Sequence, residues 1–214
     1  MKFKAAVFDL DGTLLDTLDD LTDSVNHALS QCGYPVHTRD EVCSFVGNGI
    51  KNLMKKAVPD GENDPLFEKA FSLFKEHYAE NCLNKTAPYT GIMDMLKKLK
   101  ELNVKTAIVS NKADFAVKSL ADDFFGGLVL SAIGEREGTA RKPAPDTVYL
   151  ALKEIGADIS EAVYIGDSDV DIKTAANAGI PCISVSWGFR SREFLLEHGA
   201  EIIIDSPDEL FEYL

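Results

Sequence analysis

The chain has 214 residues, 45% hydrophobic and 27% charged, and its 35 acidic against 22 basic side chains give a formal charge of −13. A field of that sign repels a polynucleotide backbone, and no stretch approaches the ~20 consecutive apolar residues that a membrane helix needs, so neither nucleic acid nor a membrane is an expected partner. The length allows one large domain, or one domain carrying a modest insertion, around a core of its own.

From the amino terminus, Met1-Lys2-Phe3-Lys4 leads directly into an apolar run at 4–8 that reads as a buried strand. No apolar h-region or small-residue cleavage site precedes it, which predicts a cytoplasmic protein. Residues 8–14 then read Phe-Asp-Leu-Asp-Gly-Thr-Leu. Side chains at i and i+2 leave a strand on the same side, so Asp9 and Asp11 address one small volume at its carboxyl end, the edge where open α/β sheets bind ligands. Two carboxylates at such range repel unless a hard cation binds or one keeps a proton. Both remedies suit phosphoryl transfer; a surface Asp-x-Asp-Gly turn is the plainer reading of the same residues.

Between Asp16 and Lys85 the periodicity turns helical. Leu18, Leu21, Val25, Ala28 and Leu29 recur at helical spacing, as do Leu66, Phe67, Ala70, Phe71, Phe74 and Tyr78. This predicts a helical domain at 16–85 inserted into an α/β core made of 1–15 and 86–214. Inside it Gly47-Asn48-Gly49 forms a flexible polar turn before a helix starting near Ile50, a place where backbone amides can meet an anion. A plain turn between two helices competes with that reading. Ala87-Pro88-Tyr89-Thr90-Gly91 marks the return to the core.

Strands then read at 104–109, 128–131, 162–166, 180–185 and 201–204, most of them separated by helices at 91–101, 112–122, 145–155, 168–178, 190–197 and 206–213. This alternation predicts an α/β, doubly wound parallel sheet covered on both faces, with several strand orders open. After the strand at 104–109 come Ser110-Asn111-Lys112, a hydroxyl and amides at a helix start, suited to phosphoryl oxygens. Arg141-Lys142-Pro143-Ala144-Pro145-Asp146 sets cations before a proline-stiffened helix start, where a lysine opposes the helix dipole and so points to function. Gly166-Asp167-Ser168-Asp169-Val170-Asp171 gathers three acids at another strand end. Lys112 and Lys142 are the cations available against the acidic field, with Lys112 standing between phosphate contact and solvent. Cys32, Cys43, Cys82 and Cys182 include no C-x-x-C pair and read as reduced packing residues, and the histidines lack metal-ligand spacing. Trp187, Arg190 and Arg192 follow the fifth strand end, where they can border the site; packing and surface pairing are the plainer reading.

Taken in order, Asp9-Leu10-Asp11-Gly12-Thr13-Leu14, Ser110-Asn111, Lys142-Pro143 and Gly166-Asp167-Ser168 through Asp171 resemble the motifs of the haloacid-dehalogenase-like superfamily of aspartate-nucleophile phosphohydrolases. Phe45-Val46-Gly47-Asn48-Gly49 and Trp187-Gly188 are similar to the phosphoglycolate phosphatases within it. The resemblance implies a Rossmann-like core with a helical cap after the first strand. It also implies a Mg²⁺-dependent phosphatase acting on a small phosphorylated metabolite, with 2-phosphoglycolate the leading substrate. Asp9 would be the nucleophile and Asp11 the general acid and then base. Ser110, the Asn111 amide and Lys142 would bind the phosphoryl group. Asp9, Asp11 through its backbone carbonyl, and Asp167 would hold Mg²⁺, with Asp171 behind them fixing a metal water or Lys142. Gly47, Asn48 and Gly49 would contact substrate from the cap. Pyrophosphate, nucleotides and sugar phosphates are the alternative substrates of such a site. Gly166 ahead of Asp167 disfavours phosphoglucomutases, and Asp11 disfavours dehalogenases. A Mg²⁺-binding domain phosphorylated on Asp as a signal is the alternative of another class, opposed by the insertion and by Asp11. Monomer and homodimer are both open.

Overall fold

The computed structural model describes residues 3–47 and 49–214. In chain order it contains β1 (Ala5–Phe8), β2 (Leu15–Asp16), α1 (Leu18–Gln31), α2 (Arg39–Phe45), α3 (Gly49–Ala57), α4 (Phe67–Asn81) and β3 (Ala87–Pro88). There follow α5 (Ile92–Glu101), β4 (Lys105–Ala113), α6 (Asp114–Phe125), β5 (Ser131–Glu135), α7 (Asp146–Glu154) and β6 (Ala162–Gly166). The chain closes with α8 (Asp169–Ala178), β7 (Cys182–Val185), α9 (Arg192–Glu197) and β8 (Ile202–Ile204). Two compact units emerge: Asp16–Ala87, and the remainder.

In the larger unit six strands form one parallel sheet in the order β5-β4-β1-β6-β7-β8. The apolar run Ala5-Ala6-Val7-Phe8 is wholly buried, as a central strand covered on both faces must be. Ala6 and Phe8 join Ile92, Met95 and Leu99 of α5 and Val117 and Leu120 of α6 in one core layer. Ala5 and Val7 join Val148, Ala151 and Leu152 of α7 and Ala175 and Ala178 of α8 in the other. This is the expected doubly wound α/β sheet. Phe8→Ala would cost it about 3–5 kcal/mol through lost burial and the cavity left behind. The connections run to β4 and β5 on one side of β1 and to β6, β7 and β8 on the other, so β1 marks the topological switch point.

Three elements depart from the sequence reading. β4 does not stop at Val109 but continues through Ala113, with a register shift between Val109 and Ala113 before it meets Glu135 of β5. Gly134 permits the overrun, because a Cβ there would lie 2.5 Å from the Lys112 carbonyl oxygen. The fifth strand is Ser131–Glu135 and not 128–131. The apolar residues before it form a lead-in, with Leu128 accepting from the Thr106 hydroxyl at 2.6 Å and Leu130 donating to the Thr106 carbonyl at 2.9 Å. The last helix is a 3₁₀ turn, Pro207–Glu212, whose buried residues Pro207 and Leu210 stand one three-residue turn apart.

The Asp16–Ala87 unit is helical, apart from its ends. Leu21, Val25, Ala28 and Leu29 of α1 and Phe67, Ala70, Phe74 and Tyr78 of α4 are its buried faces. α2 starts on a capping box in which Thr38 and Glu41 satisfy each other's backbone amides. Asp20, 2% exposed, is balanced by amide donors from Lys85 and Thr86 at 2.9–3.0 Å. Among the described residues no helix is long and apolar enough to cross a membrane.

Candidate active site

The sheet register assembles the site before any side chain is considered. Phe8 pairs with Ile108 on one side and with Ile165 on the other. One step beyond Phe8 lies Asp9, and two steps beyond Ile108 and Ile165 lie Ser110 and Asp167. The Asp9 amide still belongs to the ladder, donating to the Ile165 carbonyl at 2.9 Å. Gly12 then turns the chain with a φ of +88°, a conformation side chains rarely adopt.

Lys142 reaches this edge from the loop before α7, across a cis Lys142-Pro143 peptide. It is 3% exposed. Its Nζ lies 2.8 Å from Asp9 Oδ1 and 2.8 Å from Asp171 Oδ1, and donates to the Tyr164 hydroxyl at 3.1 Å. Asp171 is fully buried and fully engaged. Its Oδ1 also accepts from the Tyr164 hydroxyl at 3.0 Å, and its Oδ2 accepts from the Ser168 amide at 3.1 Å and hydroxyl at 2.5 Å.

Burial opposes the charge on Lys142, but Asp171 and Asp9 outweigh it and hold the ammonium above the ordinary lysine range. Burial, then the Asp171 charge, raises Asp9 well above the usual carboxylate range against the pull of Lys142. The same two causes push Asp167 up to about 7. One carboxylate oxygen from each of Asp9, Asp167 and Asp171 lies within 4.8 Å of the others. One lysine among three buried carboxylates leaves surplus negative charge, and an oxygen-ligated divalent cation is the group that relieves it. The donor set therefore fits such an ion.

Asp11 is half-buried. Its Oδ1 lies 2.8 Å from Lys112 Nζ and its Oδ2 accepts from the Ser110 hydroxyl at 3.5 Å. Asp167 is wedged between backbones. Its Oδ2 accepts from the Phe189 amide at 2.7 Å and its Oδ1 from the Thr13 hydroxyl at 3.3 Å. A Cβ on Gly12 would come 2.4 Å from Asp167 Oδ2, and one on Gly188 would come 2.3 Å from Asp167 Cβ. Trp187 Nε1 donates to the Thr13 carbonyl at 3.0 Å, tying the loop after β7 to the loop after β1.

The profile of haloacid dehalogenase-like hydrolases matches residues 6–185. The chain belongs to this family. The phosphoglycolate phosphatase of Pseudomonas savastanoi pv. phaseolicola is 31% identical over 213 residues, which is 97% of this chain and 78% of that protein. Phosphoglycolate phosphatase 1 of Pseudomonas aeruginosa is 32% identical over the same shares. A Lactobacillus delbrueckii subsp. bulgaricus crystal structure, provisionally named a phosphoglycolate phosphatase, is 38% identical with a TM-score of 0.95, covering 100% of this chain and 98% of that one. CbbY from Rhodobacter sphaeroides, solved with phosphate, is 26% identical with a TM-score of 0.75, covering 97% and 96%. Within the haloacid dehalogenase-like hydrolases, this chain is a phosphatase.

In this haloacid dehalogenase-like hydrolase, Asp9, Asp11, Ser110, Lys142, Asp167 and Asp171 all stand at the carboxyl edge of the sheet. Ser110, Asn111 and Lys112 are not at a helix start, since α6 begins at Asp114 and they ride on the β4 overrun. The Asn111 side chain donates to the Lys142 carbonyl at 3.1 Å, holding that loop in place. In the helical unit Gly47 takes a φ of +126° and Gly49, the first residue of α3, one of +76°. Asn48 lies outside the described residues. Sequence reasoning assigned no role to Tyr164, Thr13 or the Phe189 amide, and of its two readings of Trp187 the one at the border of the site holds. A hydroxyl inside an otherwise apolar buried strand needs a partner, and that signal points to Tyr164. Arg192 is the surface pair expected, 2.7 Å from Asp205.

Proposed function

We propose that this phosphatase is Mg²⁺-dependent and hydrolyses small phosphate monoesters, 2-phosphoglycolate foremost, through an aspartyl phosphate on Asp9. The observation that carries the reading is Asp9 held 2.8 Å from Lys142 within a buried trio of carboxylates. Asp9, Asp167 and the Asp11 backbone carbonyl would hold the ion, while Asp171 fixes Lys142. Bound there, Mg²⁺ supplies neutralisation of the carboxylates and polarisation of the phosphoryl oxygens.

The chain's own residues divide the remaining work. Asp9 attacks phosphorus, and the bond to the ester oxygen breaks. Lys142 favours the ionised nucleophile against burial and the neighbouring carboxylates, and aims it. Asp11 gives a proton to the departing alkoxide, then takes one from the water that hydrolyses the aspartyl phosphate. Ser110 and the Asn111 amide receive phosphoryl oxygens as charge redistributes. Gly47, Asn48 and Gly49 are assigned the selection of the leaving group, so Asn48→Ala raises KM for 2-phosphoglycolate more than for p-nitrophenyl phosphate; equal effects on both count against that selection.

The test is phosphate release, with and without Mg²⁺, from 2-phosphoglycolate, pyrophosphate, nucleoside monophosphates and hexose phosphates, with Asp9→Asn as the blank. A large kcat/KM preference for 2-phosphoglycolate is expected. A flat or shifted profile discards that substrate and keeps the chemistry. Release that persists in Asp9→Asn, or that survives removal of Mg²⁺, overturns the mechanism.

A further inference from the structure

An ammonium carries three protons, and those of Lys142 already meet three acceptors: Asp9 Oδ1, Asp171 Oδ1 and the Tyr164 hydroxyl. A phosphoryl group arriving at Asp9 brings further negative charge, and it needs a cationic donor that those acceptors do not already hold. Lys112 stands ready at the same edge. Its side chain is only 7% exposed. The bulged overrun of β4 carries it there, and Gly134 makes room for that backbone. Its own amide donates to Ser110 Oγ at 3.2 Å, so the two residues are tied together.

The Lys112 ammonium and the Ser110 hydroxyl converge on one carboxylate, at 2.8 and 3.5 Å from the two oxygens of Asp11. A carboxylate offers an edge of two anionic oxygens and is the side chain nearest in form to a phosphoryl edge. We propose that Ser110 Oγ and Lys112 Nζ form the phosphoryl-oxygen clamp of this site, and that Asp11 occupies it only while phosphate is absent. Phosphate displaces the Asp11 carboxylate, which, no longer paired with Lys112, takes a proton from solvent and then meets the leaving group as the acid. The substrate itself thereby releases the residue that serves it. This deepens the phosphatase reading above and rests on it.

The test measures inorganic phosphate binding to the Mg²⁺-loaded protein by calorimetry, and by product inhibition, in wild type, Lys112→Met, Asp11→Asn and the double variant. Loss of a charged hydrogen bond predicts at least about tenfold weaker phosphate binding in Lys112→Met, with Mg²⁺ affinity unchanged. Asp11→Asn removes the charge of the internal occupant and is expected to bind phosphate several-fold more tightly. The double variant should bind like Lys112→Met. Binding in Lys112→Met within twofold of wild type overturns the clamp. Equal tightening by Asp11→Asn in both backgrounds overturns it too, because a general charge effect needs no Lys112. Should Lys112→Met not fold, Ser110→Ala with and without Asp11→Asn gives the same comparison. Wild-type protein that neither binds phosphate nor releases it from any ester fails the phosphatase reading. Phosphate binding retained in Lys112→Met fails the clamp alone.

Discussion

Lys142→Met preserves most of the side-chain volume and removes the charge that Asp9 and Asp171 share. The lysine is 3% exposed and sits 2.8 Å from each carboxylate, so its loss strands two buried acids. Removing one partner of a buried pair costs about 3–5 kcal/mol. For a chain of this size each kcal/mol moves the melting temperature by about 2–4 °C, so a fall of roughly 6–20 °C is expected. The assay is urea unfolding in EDTA at pH 8, where no divalent cation stands in for the lysine and the carboxylates are driven to ionise. The chain's one tryptophan, Trp187, reports on the sheet unit. Asp171→Asn neutralises one of the stranded acids, so the double variant should lose less than the two singles together, with a coupling of about 1–3 kcal/mol. A loss below about 1 kcal/mol in Lys142→Met, or singles that add within about 0.5 kcal/mol, would refute the charge argument.

Four further outcomes are expected. Burial and the Asp171 charge push Asp167 up to about 7 and raise Asp9 as well, so at pH below 7 a cation that binds these carboxylates must expel protons. Calorimetry at pH 6 in buffers of different ionisation heat should show about one proton or more released, with affinity falling between pH 8 and 6; pH-independent binding contradicts this. By the same linkage, the stability that Asp167 contributes without metal is full below its unfolded value and is lost as pH rises through about 7. Trp187→Phe removes the indole bond to Thr13, and half-saturating Mg²⁺ should rise about tenfold or more, as with other residues that orient metal ligands. Gly134→Ala should displace the β4 overrun, costing about 1–3 kcal/mol by overpacking and weakening phosphate binding. A variant with wild-type melting and phosphate affinity would show that the overrun does not need the glycine.

The central strand is legible in the sequence because Ala5-Ala6-Val7-Phe8 is apolar without interruption, which only burial on both faces explains. Asp9, Asp11, Asp167 and Lys142 are legible because each is costly where it stands: acids repelling acids, and a lysine set against a helix dipole. The β4 overrun is hidden, since Ser110-Asn111-Lys112 has little strand preference and its pairing depends on Gly134 in another element. Residues 128–130 mislead for a similar reason, as their hydrogen bonds go to Thr106. The bond from Trp187 to Thr13 is opaque because it crosses 174 positions of chain, and no local pattern carries that information.

The arrangement of strands around β1 has a consequence for synthesis. Ala5 lies beside Lys105 and Ala162, so the first strand waits for partners made much later, and parallel pairing across such distances is slow. A ribosome adds about 5–20 residues per second, so roughly 10–40 s pass between the appearance of Asp9 and that of Phe189. Through that interval Asp9 is already out of the tunnel, while Lys142 comes late and the backbone that seats Asp167 comes later still. The helices of Asp16–Ala87 have time to form meanwhile. The site of a nascent chain is thus unassembled until the segment around Phe189 emerges, and its assembly becomes a report that translation has passed that point.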